Sequence, residues 1–204
     1  MTRRWAIGIA LLLVLAALRL PWRNADGGNL GLWSYGFFST DEGYYTSGGK
    51  LAFLTGQYLD LEVGEPPTFR ASWGMHWLSY LGYRFAGLSI AATRWPTMLA
   101  AIAGWLAAYI IASRVTSASV AGVLVLILSC NPVSLTYERV ASTDIVMGAF
   151  IATAFALATA RRGRWAWLAG ATAAAALSVK ATAALMLPII LLALIARRSW
   201  RSVA

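Results

Sequence analysis

Hydrophobic residues in this chain gather into runs separated by short polar clusters. The runs are Trp5–Leu20, Trp95–Ser113, Ser119–Thr136, Thr143–Ala160, Trp165–Val179 and Ala181–Ala196. A helix that crosses the hydrocarbon of a bilayer needs about 20 residues. The middle three runs reach or approach that length, and the other three are shorter. Buried core helices of a soluble protein are the alternative for short runs. That alternative needs soluble sequence between the runs, and there is little. The pattern therefore predicts an all-α, polytopic membrane helical bundle of about six transmembrane helices. The last two runs read as a hairpin with Lys180 at its turn. A single long tilted helix would instead put Lys180 in mid-membrane and separate Arg161–Arg164 from Arg197–Arg201 across the bilayer.

The segment 21–94 is the one long stretch between runs. Asn24-Ala25-Asp26-Gly27-Gly28-Asn29 is turn-rich and excludes regular structure. Tyr44–Thr55 reads as a short helix with Asp41 near its N-cap. Residues 57–70 read as loop, because they are polar and contain Pro66-Pro67. Trp73–Leu88 is amphipathic. Trp73, Trp77, Leu81 and Phe85 recur every four residues on one face, as in a helix lying in the membrane interface.

Composition supports the membrane reading. Of 204 residues, 59% are hydrophobic and 12% charged, against roughly a quarter charged in a soluble domain; the mean hydropathy is +0.65. If the N-terminus is cytoplasmic and every run crosses, the inner face receives Arg3, Arg4, Arg114, Arg161, Arg162, Arg164, Arg197, Arg198 and Arg201. The outer face receives Arg19, Arg23, Lys50, Arg70, Arg84, Arg94, Arg139 and Lys180 together with all the acids, Asp26, Asp41, Glu42, Asp60, Glu62, Glu65, Glu138 and Asp144. This is the positive-inside bias. It accounts for the net charge of +9 without a nucleic-acid partner. The expected location is the plasma (inner) membrane, with the acidic loop outside. Arg3-Arg4 followed by Trp5–Leu18 also resembles a secretory signal, but no small-residue cleavage site follows, which favours a retained anchor.

Within this frame Asp41-Glu42-Gly43-Tyr44-Tyr45 stands out. Acids near hydrocarbon are costly, so an adjacent pair close to a bilayer face marks a functional site. A helix cap is the plainer account of Asp41, but a cap does not require Glu42 beside it. Cys130 is alone, so there is no disulfide framework, and His76 is the single histidine, so no zinc cluster of the usual spacing forms.

Several stretches carry a resemblance. They are Asp41-Glu42-Gly43-Tyr44-Tyr45, the segment from His76 to Gly87, Asn131-Pro132, the segment from Glu138 to Asp144, and Leu177-Ser178-Val179-Lys180-Ala181-Thr182-Ala183. In this order the chain resembles the N-terminal half of a GT-C membrane glycosyltransferase of the protein O-mannosyltransferase and lipid A aminoarabinose transferase branch. Residues 1–204 would be the N-terminal part of that transmembrane domain. Family members are considerably longer, so the resemblance implies truncation at the C-terminal side. In the family a Pro-Pro pair leads directly into the helix that here starts near Trp73. Pro66-Pro67 is set apart from it by residues 68–72.

The resemblance implies sugar transfer from a polyprenyl-phosphate carrier to a lipid, glycan or protein acceptor. Asp41 would be the catalytic base, Glu42 would orient the acceptor, and Asp144 would complete the acidic site unless it serves only as a helix cap. Lys180, and next Arg139, would hold the lipid phosphate unless Lys180 merely reaches to the headgroups. Tyr44, Tyr45, Trp73, His76 and Trp77 would line the acceptor or sugar. No cofactor is required, and a divalent cation on Asp41 and Asp144 is possible. A non-catalytic membrane subunit of the same fold and a transporter or flippase fragment are the alternatives. In-frame sequence beyond codon 204 with further hydrophobic runs would favour the enzyme.

Overall fold

The computed structural model describes residues 3–21, 39–56, 66–138, 140–160 and 165–199, without the side chains of residues 39–44, 66–71 and 197–199. The described residues are helical and contain no strand. In chain order the helices are α1 (Arg3–Arg19), α2 (Ser39–Thr55), α3 (Pro66–Ala86), α4 (Ile90–Val115), α5 (Ala118–Ser129), α6 (Pro132–Glu138), α7 (Thr143–Ala158), α8 (Trp165–Val179) and α9 (Leu187–Ser199). A 3₁₀ turn, Ala181–Met186, connects α8 to α9.

Among the described residues one helix, α4, is by itself long and apolar enough to cross a membrane, with 26 residues. The run read as a single helix over Ser119–Thr136 is broken. It forms α5 and α6, bent by 72° where Cys130 and Asn131 leave the helix. Pro132 lacks the N–H that would continue α5, yet it suits the first turn of a new helix. Asn131 supports that turn by accepting a hydrogen bond from the Val133 amide at 2.8 Å. The α5–α6 pair is long and apolar enough to cross only if the two helices form one bent span, and α7 and α8, with 16 and 15 residues, are shorter. The all-α class is therefore as expected, while the described residues hold one clear span where about six were expected.

Two boundaries in the 21–94 segment also differ. Helix α2 starts at Ser39, so Asp41 is its third residue and not its cap. Helix α3 reaches back to Pro66, but Ser72 has φ −143° and ψ 29°, a break within it. Prolines in a first turn cost no hydrogen bond, which is why Pro66-Pro67 opens a helix here. The amphipathic portion after the break begins at Trp73, as the four-residue periodicity indicated.

Small residues set the packing. α7 meets α8 through Ala154, Ala158, Ala169 and Ala173, and Ile190 of α9 joins the same cluster. The chain thus turns after Lys180, and α9 packs beside α7. α4 approaches α7 at Gly104, where a Cβ would lie 3.1 Å from the Ala149 Cβ. Helices without bulky side chains approach closely, and van der Waals contact then holds them without relying on water exclusion.

Candidate functional site

The site is built at the end of the bundle where α2, α3, α7 and α8 converge. Met75, Ala141, Val146 and Val179 form a buried cluster there, with Tyr45, Leu78 and Met147 packed against it. Four of these residues neighbour a polar residue of interest. Tyr45 lies one helical turn beyond Asp41 on α2, Met75 precedes His76, Val146 follows Asp144 by two residues, and Val179 precedes Lys180.

Glycines let the backbones meet. At Gly49 a Cβ would lie 2.5 Å from the His76 carbonyl oxygen and 2.8 Å from the Tyr80 amide nitrogen. At Gly74 a Cβ would lie 2.9 Å from the Ser178 carbonyl carbon. Both obstructions are main chain, which cannot swing aside. So α2 rests on α3, and α3 rests on the end of α8 just before Lys180. His76 is 1% exposed and accepts a hydrogen bond from the Gly48 amide at 3.2 Å through Nδ1. It joins the acid-bearing helix to α3.

Lys180 is extended, with φ −155° and ψ 126°, between α8 and the 3₁₀ turn. Its Nζ donates to Asp144 Oδ1 at 2.6 Å. Thr182 adds a second tie to α7 by donating to Met147 Sδ at 3.4 Å. Two residues singled out for chemistry, 36 positions apart in sequence, are thus direct partners. The side chains are 30% and 64% exposed, so a ligand can reach the pair.

A second polar centre was not anticipated. Arg19, at the end of α1, is 2% exposed, and its Nε donates to Glu138 Oε2 at 2.6 Å. A second guanidinium nitrogen shares that oxygen and also donates to the Ser129 carbonyl at 3.2 Å. Trp105 Nε1 donates to Glu138 Oε1 at 2.7 Å. One buried ion pair therefore ties α1, α4, α5 and α6 together. Buried charges require this degree of hydrogen bonding to be tolerated. Glu138 and Asp144 line the same groove of about 280 Å³ between α4 and α7, along with Gly104, Trp105 and Gly148. The sequence did contain a signal: a lone Arg at the end of an apolar run needs a counter-charge if it stays in the bundle.

The other expected residues are distributed as follows. Trp73 and Trp77 are half-exposed, at 48% and 44%, and Leu81, Phe85 and Leu88 continue that face. Trp77 meets Tyr80 edge-on, with ring centroids 5.8 Å apart. Tyr45 is half-buried. The side chains of Asp41, Glu42 and Tyr44, and the whole of Arg139, lie outside the described residues. Among the described residues no group of three or more His, Cys, Asp or Glu gathers as a metal site.

Among the described residues the protein is all-helical, with one helix long and apolar enough to cross a membrane and an accessible Lys–Asp pair at one end of its bundle. Comparison with protein families makes this specific. Residues 71–204 match the model of the dolichyl-phosphate-mannose-protein mannosyltransferase family. The chain belongs to that family, and it is a glycosyltransferase-like chain of the GT-C kind. The matched region holds Asp144 and Lys180 and begins after the Asp41-Glu42 pair. No curated protein and no solved structure matches the chain.

Proposed function

We propose that this protein transfers a sugar from a polyprenyl-phosphate carrier to a hydroxyl of a lipid, glycan or protein acceptor at the outer membrane face. The observation that carries the proposal is the exposed Lys180–Asp144 contact, at 2.6 Å, within a chain of this family. A lipid phosphate is a natural partner for an accessible ammonium group. Lys180, with Arg139, holds the phosphate of the donor. Asp144 keeps Lys180 extended toward the site until the donor arrives.

The chemistry follows from these roles. The acceptor oxygen attacks the anomeric carbon, and a new C–O bond forms as the bond to the phosphate oxygen breaks. Polyprenyl phosphate leaves with the electron pair, its charge countered by Lys180. The acceptor proton passes to the Asp41 carboxylate, a transfer contributing about 10²–10⁴-fold. Glu42 orients the acceptor, and Tyr44, Tyr45, Trp73 and Trp77 line its approach. His76 acts from beneath, holding α2 in register on α3. A divalent cation shared by Asp41 and Asp144 is compatible with this scheme, and no step depends on it.

The same reading makes the shorter helices further crossings. The 3₁₀ turn of 6 residues and α9 of 13 residues rise together by about 31 Å, close to the hydrocarbon thickness of ~30 Å. α1, with 17 residues, rises by about 25 Å and needs flanking arginines to complete its span.

Asp41→Asn tests the base. Asparagine keeps the shape of aspartate but accepts no proton. Transfer should be nearly abolished while membrane insertion is unchanged. Wild-type turnover in the variant would reduce Asp41 to a structural residue.

A further inference from the structure

At the end of the bundle away from Lys180, α1 and α4 border a groove of about 480 Å³. Its walls are Trp5, Ile9, Leu12, Leu106 and Ile110, and it also takes in Arg4 and Arg114. The two arginines sit at the start of α1 and the end of α4, so both charges lie at the same end of the groove. They are close enough for their charges to repel. Neither pairs with a carboxylate among the described residues. The Arg114 side chain and the Arg4 backbone are held locally. Arg114 donates to the Ala156 carbonyl at 2.9 Å and to the Thr159 hydroxyl, both at the end of α7. The Arg4 carbonyl accepts from the Tyr109 hydroxyl at 2.9 Å, which pins the start of α1 to α4.

Two like charges at one end of a groove repel until an anion bridges them. Guanidinium groups bind phosphate through paired, charge-assisted hydrogen bonds. Apart from Tyr109 and Ser113 the rest of the groove is apolar, and it runs along α4, the crossing helix, as an acyl chain would. Trp5, Ile9, Leu12 and Ile110 are 66%, 46%, 41% and 42% exposed, so the walls are open to lipid. We propose that this groove binds one acidic glycerophospholipid of the cytoplasmic leaflet, with its phosphate between Arg4 and Arg114 and one acyl chain against Ile9, Leu12, Leu106 and Ile110. The proposal rests on α4 crossing the membrane with this end inside, and not on any step of sugar transfer. The bound lipid would clamp α1 to α4 and, through Arg114, to α7.

Native mass spectrometry of the detergent-solubilised protein, titrated with phosphatidylglycerol or phosphatidylcholine, tests it. Wild type should bind one phosphatidylglycerol more tightly than phosphatidylcholine. A basic residue near a lipid headgroup contributes about 1 kcal/mol, or roughly fivefold in affinity. Arg4→Gln should weaken phosphatidylglycerol binding about fivefold and leave phosphatidylcholine binding unchanged, whereas Arg4→Lys should retain most of it. Arg3→Gln is the control, because Arg3 does not line the groove and should have no effect. Arg114→Gln should act like Arg4→Gln, and if it fails to fold the Arg4 series carries the test alone. Equal binding of the two lipids to wild type would overturn the site. An Arg3→Gln loss as large as that of Arg4→Gln would overturn it too, since that outcome is general surface attraction. Cysteine labelling near position 114 reports separately whether α4 spans the membrane.

Discussion

Replacing Lys180 by alanine separates a ligand contact from a structural one. In the free protein Lys180 pairs with Asp144 at 2.6 Å, with the two side chains 30% and 64% exposed. A pair this open to solvent contributes about 0.2–1 kcal/mol to stability. For a protein of this size that corresponds to a shift in Tm of about 2–4 °C at most. A charge-assisted hydrogen bond to the donor phosphate contributes about 1.5–3 kcal/mol, or roughly ten- to hundredfold in affinity. Lys180→Ala should therefore raise the donor's apparent Michaelis constant at fixed acceptor by about that factor, while Tm hardly moves. Lys180→Arg keeps the charge and should keep most of the affinity. If Lys180 only reaches toward the headgroups, donor affinity changes little. Equal Michaelis constants for wild type and Lys180→Ala would remove Lys180 from the donor site and make Arg139 the next residue to test.

Three other outcomes are expected. Glu138→Ala leaves the buried Arg19 guanidinium without its carboxylate and should cost about 3–5 kcal/mol in thermal or denaturant unfolding; an unchanged midpoint would mean that Arg19 finds another partner. Gly49→Ala places a Cβ 2.5 Å from the His76 carbonyl and should destabilise the α2–α3 contact by about 1–3 kcal/mol, seen as a lower Tm; wild-type Tm would show that α2 can shift freely. Cysteine-accessibility labelling should find positions 41 and 180 outside and 162 and 198 inside. Positions 162 and 180 on one side would sink the hairpin.

Much of this architecture follows from hydropathy and helix-breaking chemistry. Trp165–Val179 is an uninterrupted alanine-rich run, and α8 has the same limits. Thr143 begins both the run and α7. Proline was harder to place, because its effect depends on position. Pro132 divides one apolar run into two helices, while Pro66 and Pro67 extend a helix into a stretch that read as loop. Long-range pairing was hardest. Asp144 and Lys180 were both assigned to the outer face, but with different partners, Asp41 for one and a phosphate for the other. Nothing in the sequence records that the α7 and α8 ends bring them to 2.6 Å. Arg19 and Glu138 were likewise counted as outer-face charges. Their burial depends on the bend between α5 and α6, which a linear pattern does not reveal.

Lipid-carrier-dependent transfer is read out by following labelled sugar into the acceptor fraction of membranes that carry the protein. The label is supplied either on polyprenyl phosphate or as the nucleotide sugar with the lipid carrier depleted. Transfer is expected from the lipid-linked donor, lost in Asp41→Asn, and none from the nucleotide sugar. Transfer from the nucleotide sugar without the lipid carrier, or from the lipid donor at the wild-type rate in Asp41→Asn, would contradict the proposed reaction.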